Sequence, residues 1–223
     1  MKKIPFLSFV IFFYCFNAKA QDTAHYWEMR FGAGGSNSGI NLYNQIGSNF
    51  NLPDMGIASG VTSVSFVMGL KKFSMEAGID FGSKDKSANG YEFQSEILNA
   101  RYSYKYRMVN TKHSDINVFG DLGIQTIGVQ IDSINRRATL LDFTSTSFTK
   151  SFITVGPGVE YMYKLMRARG GFVLGLRTSY NFYTVETEWA KGISKNYKEY
   201  SDKDLGYFQI TLFFGSRFFP KGN

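Results

Sequence analysis

Cysteine is all but missing: the single one among 223 residues is Cys15, close to the N-terminus. If the first twenty residues are removed, as argued below, the remaining chain has no thiol. Disulfide frameworks, cysteine nucleophiles and thiolate metal sites are then all excluded. Long apolar runs are missing too. Beyond residue 20 no stretch approaches the ~18 consecutive apolar residues that a membrane-spanning helix needs. There is no large excess of one charge. Without Lys2, Lys3 and Lys19 the chain keeps 22 basic against 18 acidic residues, a net charge of +4. That is too mild a balance to argue for a nucleic-acid partner. Proline is scarce, at four residues, whereas 23 glycines and 17% aromatics point toward β structure.

The first twenty residues read as an export signal. Lys2 and Lys3 form a positive start, Ile4 to Phe16 are apolar apart from Ser8, and Asn17-Ala18-Lys19-Ala20 places small residues where a signal peptidase cuts. The apolar run is too short for a stable anchor, so cleavage after Ala20 is expected. Phe13 and Tyr14 precede Cys15, where a lipoprotein signal would need small residues. Residues 1–20 are therefore read as signal peptide and 21–223 as one domain.

The rest of the chain alternates with period two. Trp27, Met29, Phe31 and Ala33 share one face of a first strand, opposite Glu28, Arg30 and Gly32. The same alternation recurs around Val64–Leu70, Phe73–Gly82, Leu98–Arg107, Ile116–Gln125, Ile153–Tyr163, Phe172–Phe182 and Phe208–Phe218. Eight such segments, each near the ~9–11 residues needed to cross a bilayer, match the smallest closed outer-membrane barrel. Before Leu98 the parity blurs at Glu92, Gln94 and Glu96, which predicts a bulge or an extension beyond the membrane. Pro157 removes a ladder donor and predicts a local bulge.

Three features separate a membrane barrel from a soluble one. Short connections at 71–72, 108–115 and 164–170 alternate with mostly long polar ones at 34–60, 83–91, 129–150 and 184–206, the pattern of short periplasmic turns and longer surface loops. Aromatics such as Trp27, Phe73, Tyr104, Tyr106, Tyr161, Tyr163, Phe172 and Phe218 gather where strands meet the short turns, as an interfacial girdle would. Glycines fall mainly on the polar face, at positions 32, 69, 78, 82, 123, 156, 158, 175 and 215. A narrow lumen needs small residues, whereas a solvent-facing exterior gains nothing from them. The apolar face is thus expected to meet lipid.

The expected lumen holds Glu28, Arg30, Glu76, Asp80, Arg101, Lys105, Arg107, Asp121, Glu160, Arg177 and Arg217. A proton path or paired catalytic carboxylates would use such residues, but a mutually neutralised plug is the reading favoured here, since buried charges persist when paired. Histidine-dependent lipid chemistry is poorly supplied. His25 and His113 both fall at the periplasmic end, without an evident serine and acid at that level. The stretch Gly32-Ala33-Gly34-Gly35 lacks the Lys-Ser/Thr and following helix of a phosphate loop and is expected to turn at a strand end. Asn135-Arg136-Arg137, and Lys191, Lys195, Lys198 and Lys203, could meet lipopolysaccharide phosphates. Glu186, Glu188, Glu199, Asp202 and Asp204 offset the second group, which favours an ordinary solvated loop.

The stretch Gly156 to Tyr161, the Gly-aromatic strand ends and the close Phe213-Phe214-Gly215-Ser216-Arg217-Phe218 resemble the small outer-membrane β-barrel family of Gram-negative bacteria, especially its PorT-like Bacteroidota branch. One departure is that Pro220 to Asn223 follow Phe219, where many such barrels end on an aromatic residue. The expected fold is an all-β, eight-stranded antiparallel up-and-down transmembrane barrel with both mature termini in the periplasm. The expected function is non-enzymatic: an envelope or secretion-associated interaction protein of the outer membrane, acting through loops or turns. No catalytic, cofactor-binding or metal-binding residue is assigned, and no cofactor. The expected partners are outer-membrane lipid and lipopolysaccharide, with other envelope or secretion proteins as further candidates. A lipid-modifying outer-membrane enzyme and a secreted soluble ligand-binding barrel remain as alternatives.

Overall fold

Backbone N–H and C=O groups on both sides of every strand need partners, and closing a sheet on itself supplies them without leaving an edge. The computed structural model describes residues 25–38, 44, 59–70, 72–88, 91–133, 146–167, 170–186 and 206–220. They form eight strands: β1 (Tyr26–Ser36), β2 (Ser59–Gly69), β3 (Phe73–Ala88), β4 (Tyr91–Asn110), β5 (Ser114–Ser133), β6 (Thr146–Arg167), β7 (Gly170–Glu186) and β8 (Gly206–Phe218). Each pairs antiparallel with the next, and β8 returns to β1 to close the barrel. The chain is thus the expected eight-stranded antiparallel up-and-down barrel.

The register fixes the tilt. Hydrogen-bonded partners lead from Tyr26 through Gly69, Ser74, Lys105, Phe119, Gly158, Ser179 and Gln209. The circuit re-enters β1 at Ser36, ten positions further along. That stagger inclines the strands and sets the bore. Every residue on this circuit points inward, so one rung of side chains winds up the lumen.

Strands alternate as the sequence predicts. Trp27, Phe66, Ile79, Leu122, Leu174 and Phe214 are among the many large apolar residues left exposed on the outside, while Glu28, Glu76, Lys105 and Glu160 are fully buried inside. The inward glycines have a specific use: they leave room for rings. A Cβ on Gly69 would lie 2.0 Å from the Tyr26 ring, on Gly158 2.1 Å from Phe119, and on Gly175 2.4 Å from Phe213.

Three local expectations are corrected. The 83–91 stretch is not a long loop: β3 and β4 run on to Ala88 and Tyr91, paired without a bulge from Phe73↔Tyr106 to Ala88↔Tyr91. The blurred parity before Leu98 is an exchange of chemistry between the faces. Glu92, Gln94 and Glu96 stay outward and exposed, and Phe93 and Ile97 stay inward and buried. Of the two outcomes that the sequence allowed here, the bulge is absent and the pairing runs on. Second, Gly32-Ala33-Gly34-Gly35 does not turn but continues β1, paired on both sides. A side chain at Gly34 would collide with the Ile210 carbonyl at 1.9 Å, so the bare backbone lets β8 approach. Third, no bulge forms at Pro157. The register is the same at Val155↔Phe182 and Gly158↔Ser179, and the shift falls instead at Ile153/Thr154, with a second at Arg107/Val109. Pro157 points outward opposite Gly120, and Gly156 beside it lets the Tyr180 carbonyl close in, so the wall absorbs the missing donor without changing register.

The connections segregate by end. Those at 70–72, 111–113 and 168–169 lie at the end where β1 begins, called the turn end below. The strand ends joined through 37–58, 89–90, 134–145 and 187–205 lie at the opposite end, called the loop end. The Leu70 N–H donates to the Phe73 carbonyl at 2.7 Å and the Thr111 N–H to that of Ser114 at 2.8 Å, so two of the turns are tight hairpins.

Candidate functional site

The residues most able to do chemistry are the charges in the lumen. Alternation delivers them there, because positions two apart on a strand share a face. The structure brings all eleven of the predicted luminal charges onto the inner wall and joins them into one network with two more, Asp115 and Lys164.

The middle of the lumen is organised by Glu76 and Glu160. Glu76 meets Arg101, Lys105, Arg30 at 3.2 Å and Arg177 at 3.5 Å. Glu160 meets Lys105 at 2.5 Å and Arg30 at 2.8 Å, and accepts a hydrogen bond from Asn117 Nδ2 at 2.9 Å. Arg30 also reaches Glu28 at 2.5 Å, and Arg217 closes on Glu28 from β8. Toward the turn end Asp115 is held by Lys164 at 2.6 Å and by Arg107 and Arg217 at 3.5 Å. Toward the loop end Asp80 takes Arg101 at 3.1 Å and amide donors from Asn99 and Gln209, while Asp121 takes Arg177 at 2.5 Å. Seven cations thus face six carboxylates, all shielded from solvent to within a few per cent apart from the half-buried Arg107.

Aromatic rings complete the filling. Arg177 lies over Phe119 at 3.8 Å, Arg217 over Tyr26 at 4.1 Å and Arg30 over Phe213 at 4.4 Å. A guanidinium on a ring face keeps favourable electrostatics where water is excluded. Above this polar layer the lining turns apolar, with Val61, Phe93, Ile97, Ile127, Val129, Phe152 and Tyr207 all buried. Ser38, just beyond β1, is buried and donates to Gln125 Oε1 at 2.8 Å, beside the Tyr183 hydroxyl at 3.1 Å.

This arrangement ties strands together through charge. Glu76, Glu160 and Asp115 are each gripped by three or four cations, and the network is buried in the wall. Among the described residues no group of three or more His, Cys, Asp or Glu side chains is placed to hold a metal ion. His25 and His113 sit exposed at the turn end, where His113 stacks on Tyr163 at 6.3 Å. The neighbouring Ser114 hydroxyl is engaged with Thr111 at 2.9 Å. A groove of about 960 Å³ runs over the outer wall past Phe66, Ala77, Ile79, Ala100, Tyr102 and Leu122. Its lining is almost wholly apolar, so it offers a surface and not a reaction centre. The basic loop residues at 135–137 and 191–203 lie outside the described residues, as do the acids that offset them except Glu186, which ends β7.

Sequence reasoning placed the charges but missed Asp115 and Lys164 as network members, although both obey the same parity. It also left out Phe213 and Val173, which pack with Met162 inside. Their signal was available: each sits between two outward apolar residues of its own strand.

No protein-family model matches the chain, and no curated protein matches it either. Among solved structures the chain is similar to a major outer membrane protein from Thermus thermophilus, with a TM-score of 0.58 and 11% identity over 87% of this chain and 100% of that one. It is also similar to Ail, the attachment invasion locus protein of Yersinia pestis, with a TM-score of 0.51 and 10% identity over 89% of this chain and 100% of that one. At such identities the likeness is one of fold. This chain shares the closed eight-stranded barrel that those proteins build.

Proposed function

We propose that this chain is an integral outer-membrane β-barrel of non-enzymatic kind, which acts through its loops or turns as an envelope or secretion-associated interaction protein. One observation carries the reading: the polarity of the wall is inverted relative to a soluble protein. The outer face carries exposed Trp27, Met29, Phe31, Phe66, Leu122, Leu174, Leu212 and Phe214, and the ionised groups are inside. A contiguous apolar exterior of this size is costly in water and neutral in hydrocarbon. The fold shared with two outer-membrane proteins supports the same placement. The export signal at residues 1–20, the PorT-like affiliation, periplasmic termini and a lipopolysaccharide-facing loop end belong to this reading. The non-enzymatic role is supported by a lumen whose acids are bound to cations and rings, and the filled bore argues equally against a soluble ligand carrier.

Fractionation and gel mobility test the reading together. The protein should stay in the membrane pellet after alkaline extraction, and unboiled samples should migrate differently from boiled ones, because a closed barrel has no edge from which to unravel. Release into the aqueous fraction with identical mobility would overturn it. Deacylation of purified lipid A by the folded protein would overturn the non-enzymatic part alone.

A further inference from the structure

The turn connections of the barrel carry charge of one sign only. At the turn end the sequence places Lys71 and Lys72 in one connection, Lys112 beside His113 in the next, and Arg169 in the third, with no acid in any of them. Lys72 and Lys112 are exposed. The carboxylates described at this end, Glu28 and Asp115, are buried and held by luminal cations, so they neutralise nothing at the rim. At the loop end the charges of β3 and β4 are mixed: Asp85, Glu92 and Glu96 are exposed outward, and Lys84 and Lys86 are part-exposed between them.

Aromatic rings lie next to the cationic rim. The Lys72 carbonyl accepts from the Arg107 N–H at 2.8 Å, which ties its turn to the start of the β3–β4 pairing. There Phe73 packs on Tyr106 at 5.2 Å. Trp27 lies against Phe66 at 5.2 Å, on the strand that leads into the same turn. Rings at the membrane interface with ammonium groups just beyond them are the arrangement that reaches lipid phosphates while the stems stay in the apolar layer.

We infer that the turn end seats on anionic phospholipid, with Lys72 and Lys112 binding the headgroup phosphates of phosphatidylglycerol-type lipids in the leaflet at that end. The inference rests on the membrane reading above. The surface is built from short hairpins close to the wall, so it fits lipid packed against the barrel better than a distant soluble partner.

Trp27 is the built-in reporter. The full chain carrying Trp189→Phe, so that Trp27 is the sole tryptophan, is reconstituted in mixed vesicles. In one series the phosphatidylglycerol bears brominated acyl chains, and in the other the phosphatidylcholine does. Brominated phosphatidylglycerol should quench Trp27 as a lipid bound about fivefold more tightly per contributing lysine. Lys72→Gln with Lys112→Gln should bring the two series together, and so should ~1 M salt, where the screening length falls to ~3 Å. Equal quenching by both lipids in the unsubstituted rim would overturn the inference, as would a preference that both substitutions leave unchanged. At constant ionic strength, loss of the preference at millimolar inorganic phosphate, but not at equal chloride, would overturn the lipid assignment in favour of a free-phosphate site. Absence of quenching by either lipid would instead overturn the membrane reading. The substituted sites are exposed, and retained mobility of the unboiled protein on gels separates lost binding from lost folding.

Discussion

Substitution of Glu76 by glutamine should destabilise the barrel by about 3–5 kcal/mol, the usual cost of breaking a buried ion pair by removing one partner. Glu76 is 1% exposed and stands within ion-pair distance of Arg30, Arg101, Lys105 and Arg177, which lie on three other strands. Each contact near 3.3 Å is worth roughly 5 kcal/mol of gross attraction at an effective dielectric of about 20. Most of that sum offsets the several kcal/mol that each ion lost on leaving water. The net loss is therefore far below the gross one, and it is dominated by cations left facing one another. Equilibrium unfolding in urea, in vesicles, followed by Trp27 emission with Trp189→Phe, gives the free energy directly. The double variant Glu76→Gln, Lys105→Met removes one of the stranded cations and should recover at least half of the loss. A single variant within 1 kcal/mol of the parent, or a double variant no more stable than the single, would refute the account of Glu76 as the charge that holds the wall together.

Three further outcomes are expected. Leu122→Arg places a charge on the lipid face and should cost about 2–4 kcal/mol if that position lies near the bilayer midplane, measured by the same unfolding experiment; a neutral result would move Leu122 out of the bilayer. Because no cysteine follows Cys15, single cysteines introduced into a chain that begins at Gln21 can be labelled without background. Fluorophores at Leu174, Leu122 and Leu212, all exposed outward, should be quenched by agents on lipid tails, whereas Ser179, Gln125 and Gln209, all buried inward, should label poorly. The opposite pattern would mean a register slip of one residue. In planar bilayers the purified protein should show no steady conductance, since the bore is filled by ion pairs and rings; stable single-channel steps would contradict that filling.

Much of this protein was decided by its sequence alone, because the deciding signals are local. Alternation over neighbouring residues marked all eight strands and assigned Glu28, Glu76, Glu160 and Arg177 to the inside and Trp27, Leu122 and Leu174 to the outside. Strand parity needs no knowledge of partners, and inward glycines could be read as small residues for a narrow bore. What they were small for was not legible. Gly69, Gly158 and Gly175 make room for Tyr26, Phe119 and Phe213, which lie on other strands. Two further properties came only from the tertiary structure. Serine, lysine and aspartate over 83–88 have loop composition, and only pairing with 91–96 makes them strand; on the paired β4 the alternation keeps its period while Glu92, Gln94 and Glu96 turn outward and Phe93 and Ile97 inward. The partners of each charge also depend on the stagger of ten positions around the barrel. That stagger sets Glu76 of β3 beside Arg177 of β7, 101 residues away. A sequence specifies which side chains enter the lumen, but closure of the sheet and its tilt determine which of them meet, because ion pairing depends on distance in space.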